Sequence, residues 1–155
     1  MRRTGTAAAI VAGMVLAVGA GIAVSSQLQT AATQPSLFAS LNGAREASGG
    51  DTNGRGAFNA TLDGGKICFG LSVANIQKPL AAHIHKAGAG KSGGVVLSLK
   101  HPGKGDPGSS SACVPIESAL ANQIRNTPGG FYVNVHTEAF PDGAIRGQLF
   151  KNAGK

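Results

Sequence analysis

Phe58-Asn-Ala-Thr-Leu-Asp-Gly-Gly-Lys-Ile-Cys-Phe-Gly-Leu-Ser-Val-Ala74 is the stretch of sequence that decides the fold. On both sides of Asp63-Gly-Gly65 apolar and polar residues alternate, which is the period of two of a half-buried β-strand. A loop that contains Asp-Gly and lies between two such runs is typical of a β-hairpin. The stretch therefore predicts two antiparallel strands joined by a tight turn.

The same strand signals recur on both sides of this hairpin. Further strands are predicted at residues 81–85, 95–100, 112–115, 131–137 and 144–150, and a first short strand can form at 36–41. A single helix is predicted at 117–126, because apolar residues recur there every four positions and a Pro-Gly-Gly sequence follows. Short strands separated by Gly/Pro turns predict an all-β fold, a Greek-key β-sandwich or small barrel with one short helix.

Three of the four histidines lie on the polar faces of two predicted strands. His83 and His85 share one face of residues 80–85, and His136 lies on the polar face of residues 131–138. Neutral imidazoles are good ligands for copper and zinc, and three of them would leave an open coordination position. If the two strands are neighbours, we expect a copper or zinc site. If they are not, these residues belong to an ordinary solvated sheet face.

Polar residues of the last predicted hairpin surround this candidate site. A turn centred on residues 141–143 would place Glu138 opposite Arg146 and His136 opposite Gln148. Glu138 could then pair with Arg146 or accept a hydrogen bond from a histidine ring. We therefore predict Glu138, Arg146 and Gln148 as the residues around the metal ligands.

Two cysteines are present, Cys68 and Cys113. An even pair in an exported protein predicts one disulfide, and two cysteines without CxxC spacing argue against a thiolate metal site. The bridge would close a loop of about 45 residues, which the chain-entropy model values at roughly 4 kcal/mol.

The amino terminus is typical of a secretory signal peptide, with Met1-Arg2-Arg3 followed by an Ala/Gly/Val-rich stretch. We expect a signal peptide at 1–25, a polar linker at 26–50 and one domain at 51–152. The protein is then secreted or extracytoplasmic, and a membrane association is expected only if the leader is retained.

The charge of the chain narrows the choice of partners. The formal net charge is +7 for the whole chain, and removal of two leader arginines lowers it to +5. Lys and Arg are scattered rather than arranged in a stripe, which argues against a nucleic-acid partner. An extracellular protein or a cell-envelope polymer is the expected partner.

Three blocks of the sequence resemble the CHRD domain, a module first described in chordin. They are residues 82–88, 131–137 and 143–149, and the likeness runs from about residue 58 to residue 149. The resemblance implies an extracellular β-sandwich-like domain with no agreed catalytic activity. Because this chain has one copy and no cysteine-rich modules, growth-factor antagonism does not carry over to it.

A weaker likeness is to copper/zinc superoxide dismutase. That family has a Greek-key barrel with a His-x-His pair on one strand and another copper histidine on a distant strand, which is similar to His83, His85 and His136 here. The zinc loop of the dismutases has no counterpart, and only His101 remains as a further histidine. Three functions therefore stay open: a metal-binding domain, a metal-independent interaction module, and a dismutase-like redox enzyme. Binding is preferred over turnover.

Overall fold

Residues 36–152 are described by the computed structural model of the protein. The predicted signal peptide lies outside them. Within residues 36–152, two short 3-10 helices accompany nine strands and one α-helix. The elements are β1 (Ser36–Asn42), β2 (Arg55–Asp63), β3 (Lys66–Ala74), β4 (Ala81–Lys86), β5 (Val95–Leu99), β6 (Gly108–Pro115), α1 (Ser118–Asn126), β7 (Phe131–His136), β8 (Ile145–Gln148) and β9 (Phe150–Lys151), with the 3-10 helices at Gly43–Arg45 and Pro128–Gly130.

The strands form one antiparallel sheet in the order β5-β4-β7-β8-β1-β2-β3-β6, and the short β9 pairs with β1. Neighbours such as β4 and β7 or β3 and β6 are distant in sequence, which is the connectivity of a Greek-key protein. The Ser110 hydroxyl on the β6 edge donates to the Lys100 carbonyl beside the β5 edge at 2.6 Å. The sheet is therefore a nearly closed barrel, and the predicted all-β fold with one helix is confirmed.

The β2–β3 hairpin matches its prediction. Asp63 pairs with Lys66, so the turn consists of Gly64 and Gly65, whose φ angles are 53° and 75°. Two consecutive positive φ angles characterise a type I′ turn, whose twist matches that of the flanking strands and which glycine adopts at no steric cost. This turn fixes the register and sends alternate apolar residues of both strands into the core.

The core fills the inside of the barrel and receives one face of every long strand. Its members are the alternating apolar residues that the sequence pattern predicted, together with two side chains of α1. They include Leu37, Leu41, Phe58, Leu62, Ile67, Leu71, Ile84, Ile124, Phe131, Val133, Val135, Ile145 and Leu149. Burial of apolar surface on this scale is the main stabilising contribution to the fold.

The folded region begins before the expected start of the domain. Strand β1 lies within the stretch 26–50 that was expected to be a linker, and it pairs with β2 over its whole length. Leu37, Ala39 and Leu41 point into the core, which explains why the short strand expected at 36–41 is part of the barrel. Strand β6 is also longer than the predicted 112–115, because Gly108–Pro115 pairs along β3.

The disulfide between Cys68 and Cys113 is present, as predicted. The two residues lie directly opposite each other on β3 and β6, with the bridge on the outer side of the sheet. Because β6 is an edge strand, the bridge fastens an edge of the barrel to its neighbour.

The outer side of the barrel has two different regions. We call the outward sides of β4, β7 and β8 the covered face, because the loops 43–51 and 87–94 lie over it. The Gly93 amide donates to the Tyr132 hydroxyl at 3.3 Å and the Gln148 amide donates to the Ala87 carbonyl at 2.7 Å. We call the outward sides of β2, β3 and β6 the open face, where side chains such as Asn59 and Ser72 are exposed.

In the part of the chain that the structure describes, no helix combines the length and the apolar character needed to cross a bilayer.

Candidate metal centre

The strands that carry the three histidines are neighbours in the sheet. Ala81 pairs with His136 and His85 pairs with Tyr132 across β4 and β7, so the imidazoles project from the covered face side by side. His83 Nδ1 lies 3.1 Å from His136 Nε2, although the residues are 53 positions apart. One ring nitrogen of each of His83, His85 and His136 lies within 4.8 Å of the other two. The convergence that the sequence prediction required is therefore present.

Backbone carbonyls fix the orientation of two of the rings. His85 Nδ1 lies 2.8 Å from the Gly93 carbonyl oxygen, and His136 Nδ1 lies 2.8 Å from the Pro141 carbonyl oxygen. Since a carbonyl only accepts, both Nδ1 atoms carry the proton, and each Nε2 keeps its lone pair. A histidine that binds a metal usually donates its other ring N–H in this way.

One ring nitrogen of the cluster has no hydrogen-bond partner among the residues that the structure describes. His85 is buried, and its Nε2 makes no hydrogen bond among the described residues. A buried acceptor without a partner loses its hydration and gains nothing in return. A metal ion bound at His85 Nε2 would satisfy this atom.

The environment of His83 and His136 favours the neutral imidazole, which is the form that binds metals. Burial lowers the pKa of His83 from its usual 6.5, and the nearby His136 and His85 lower it further. Burial also lowers the pKa of His136, with His85 acting in the same direction, and these effects outweigh the opposite influence of the Pro141 hydrogen bond and Asp142. At neutral pH the two rings are therefore deprotonated and available as ligands.

The distances between the ring nitrogens determine whether the three histidines can bind one metal ion without a side-chain movement. Two nitrogens that share a metal lie about 3–4 Å apart. The 3.1 Å between His83 and His136 fits this range, whereas the widest separation of up to 4.8 Å requires a ring shift of about 1 Å. Imidazole nitrogens alone suit copper and zinc better than they suit calcium or magnesium. The three residues present could thus hold copper or zinc.

Tyr132 of β7 stacks against His85 of the histidine cluster. The Tyr132 ring is nearly parallel to the His85 ring, with centroids 4.8 Å apart and an interplanar angle of 9°. The guanidinium carbon of Arg146 lies 3.3 Å from the centre of the same Tyr132 ring. Because β7 lies between β4 and β8, the tyrosine lies between the imidazole and the guanidinium and restricts the orientation of both.

The predicted surroundings of the site are only partly as expected. Arg146 and Gln148 lie on the covered face, but they pair with Asn134 and Tyr132 rather than with Glu138 and His136. The predicted register was wrong by four residues, because β7 ends at His136 and a longer loop follows. Glu138 lies in this loop and is exposed, so it does not pair with Arg146.

Two residues near the site were missed in the sequence. Tyr132 lies two residues before Asn134 and four before His136, so all three share one face of the strand. This alternation could have placed Tyr132 beside the histidines. Glu46 lies in the loop 43–51, where its carboxylate is partly buried against Gly143 and interacts electrostatically with Arg146. Because this loop was expected to be linker, nothing in the sequence pattern pointed to Glu46.

The antiparallel barrel and its outer disulfide define a class of β-domain that is common outside the cytoplasm. The family model of the CHRD domain matches residues 37–149, which is most of the chain, so the chain belongs to the CHRD domain family. The resemblance seen in the sequence is thereby confirmed. No curated protein and no solved structure matches the chain. A CHRD domain suggests an extracellular binding module, and the disulfide agrees with an extracellular location.

Proposed function

We propose that this protein is an exported CHRD domain that binds one copper or zinc ion through His83, His85 and His136. The observation that carries the proposal is the buried His85 Nε2, which has no hydrogen-bond partner within residues 36–152 and lies beside two further imidazole nitrogens. Three histidines supply the ligands, and Gly93 and Pro141 hold the tautomers of two of them. When bound, the metal offers an open position to a small ligand or to a side chain of a partner.

Location outside the cytoplasm supports this function. The Cys68–Cys113 bridge requires an oxidising compartment to form and persist. The proposed partner is an extracellular protein or a cell-envelope polymer, and a bound metal would be one means of contacting it. The signal-like amino terminus is consistent with export.

A metal titration of four purified proteins tests the proposal. Tag-free wild type, His83→Ala, His136→Ala and His101→Ala are freed of metal with a chelator, which is then removed by dialysis. Copper(II) and zinc(II) are titrated by calorimetry, and copper is also followed by electron paramagnetic resonance. We expect one ion per wild-type chain and nitrogen hyperfine structure for copper. Loss of one of three ligands should weaken binding on the order of 100-fold or more.

His101→Ala is the matched control, because His101 is the fourth histidine and its Nδ1 is bonded to the adjacent Pro102 carbonyl. It should bind copper like wild type. If His83→Ala and His136→Ala bind copper as tightly as wild type, the proposal is wrong. A CHRD domain that acts as a metal-independent interaction module would then remain.

A redox function requires catalysis in addition to metal binding. Three histidines with an open position are compatible with copper redox chemistry. The dismutase-like alternative therefore requires that the copper-loaded protein removes superoxide in the presence of a chelator that masks unbound copper, faster than His83→Ala treated in the same way. Equal rates would contradict that alternative and leave metal binding unaffected.

A further inference from the structure

Arg146 is buried in an unusual way. Only 2% of the residue is exposed, yet among residues 36–152 no carboxylate oxygen lies within 4.0 Å of its guanidinium nitrogens. Its Nη2 donates to the Gly88 carbonyl at 3.0 Å, and the Tyr132 ring contacts its guanidinium carbon. These contacts use one of five N–H donors. Buried charges in proteins are normally paired, because the loss of hydration is large.

A cavity adjoins this arginine. It lies between the loops 43–51 and 87–94 and has a volume of ≈ 700 Å³, within the usual range of small-molecule sites. Its polar lining comes from Arg146, Gln148, Arg45 and Glu46, and its exposed apolar lining comes from Ala44, Ala47 and Phe150. The cavity is separated from the histidines by the Tyr132 stack, so it is a different site from the candidate metal centre.

We infer that this cavity binds a small organic monocarboxylate, whose carboxylate pairs with the Arg146 guanidinium and whose apolar body contacts Ala47 and Phe150. The planar fork of arginine matches a carboxylate and gives two parallel, charge-assisted hydrogen bonds. The ligand thereby supplies the counter-ion that the chain itself does not provide within 4.0 Å. The inference does not depend on metal binding.

Glu46 explains why a monoanion is favoured over a more highly charged ligand. Its carboxyl lines the same cavity, and its buried Oε1 has no hydrogen-bond partner in the described part of the chain. An ionised Glu46 would repel a dianion such as phosphate more strongly than a monoanion. Burial, opposed by Arg146, raises the pKa of Glu46 to about 7, so near neutral pH its protonated form can donate to a ligand carboxylate.

The probe for this site is benzoate, compared with the neutral isostere benzamide at constant ionic strength. The protein is metal-free, so that benzoate cannot bind through a metal ion. Nuclear magnetic resonance follows the Arg146 Nε–H and the Gln148 side-chain amide during the titration. We expect saturable shifts with benzoate and an affinity at least about tenfold higher than for benzamide, because a charged hydrogen bond is lost with the amide.

A variant that fills the cavity keeps the arginine in place. Ala89 is exposed and lines the cavity, so Ala89→Phe should block it without disturbing the core. We expect a loss of at least about tenfold in benzoate affinity. Ala119→Phe, at an exposed position of α1, is the matched control and should bind like wild type.

Three results would overturn the inference: shifts that rise linearly without saturation, equal affinity for benzamide, or unchanged benzoate binding by Ala89→Phe. The titration is repeated with His83→Ala, in which the metal centre is removed. Unchanged benzoate binding there would support a site that is independent of the metal proposal. Loss of binding in His83→Ala would assign benzoate to the histidine cluster and contradict the inference.

Discussion

The covered face and the open face belong to the same sheet and both carry polar residues, but they differ in burial. Tyr132 and Arg146 on the covered face are 3% and 2% exposed, whereas Asn59 and Ser72 on the open face are exposed. The connections account for the difference. Strands β2 and β3 are joined by two residues, while eight residues between β4 and β5 fold back over the sheet.

This difference shows how a polar sheet face becomes a candidate site. A side chain that water surrounds has its hydrogen bonds satisfied by water and needs no specific partner. Once a loop covers it, each polar atom needs a partner from the protein or from a ligand. His85 and Arg146 are such residues, and the loop 87–94 contacts both of them, through the carbonyls of Gly93 and Gly88.

The largest loss of stability is expected on the open face, when its disulfide is removed. Cys68→Ser with Cys113→Ser releases a bridge with a sequence separation of 45, which should lower the free energy of unfolding by about 4 kcal/mol. Urea denaturation measures the loss. Copper binding by the fraction that stays folded should be unchanged, and its disappearance would contradict the independence of the two faces.

The next effect is expected at the centre of the covered face. Tyr132→Leu removes a buried ring that contacts both His85 and Arg146, and it should lower the free energy of unfolding by about 3 kcal/mol. Phe38→Leu is the matched control, because this half-buried outer ring forms its aromatic pair with the exposed Phe150. This control substitution should lower the free energy of unfolding by less than about 1 kcal/mol. Equal losses in urea denaturation would contradict the difference in burial between the covered face and the outer side of β1 beside the open face.

A smaller and pH-dependent effect is expected at Glu46. Its folded pKa of about 7 lies above the usual value of 4.5, so its contribution to stability is fully present below pH 4.5 and is lost as the pH rises through 7. Glu46→Gln mimics the protonated form and should stabilise the protein at pH 8 by on the order of 1 kcal/mol, after allowance for solvent screening. Below pH 4.5 the two proteins should unfold alike.

Thermal unfolding at several pH values tests this, with Glu138→Gln as the matched control. Glu138 is an exposed carboxylate on the loop after β7, and its substitution should leave the pH profile unchanged. A Glu46→Gln protein that is less stable than wild type at pH 8 would mean that the attraction to Arg146 exceeds the effect of burial.

The smallest effect is a displacement of the pH at which metal is released. Because burial lowers the pKa of His83 and of His136, protons compete for these ligands only at a pH below the usual 6.5 of histidine. Zinc release on acidification should therefore have its midpoint at a lower pH than for a solvent-exposed tri-histidine peptide of similar affinity. A midpoint equal to that of the peptide would contradict the influence of the covering loops.

Much of the barrel could be predicted because its strands follow a period of two and its turns contain glycine and proline. The β2–β3 hairpin is the clearest case, since the alternation and the Asp-Gly-Gly turn agree with each other. Strand β1 was harder to assign, because it is separated from β2 by an irregular segment and its partner on the other side, β8, lies at the far end of the chain.

The candidate site was predictable only in part. The alternation of side chains along a strand placed His83, His85 and His136 on polar faces, and the pairing of β4 with β7 brought them together. The register of Arg146 depended on the length of the last loop, which alternation does not determine. The role of Gly93 and the position of Glu46 depend on how two loops fold back over the sheet, and sequence periodicity contains no information on that.

The pairing of β1 with β9 has a consequence for how such domains can be combined. Leu37 lies opposite Lys151 and Phe38 opposite Phe150, so the first and last strands of the barrel run side by side. Entry to and exit from the fold are therefore adjacent. A unit with this geometry can be inserted into a surface loop of a host protein, or repeated along a polypeptide, with short connectors and little distortion of its surroundings.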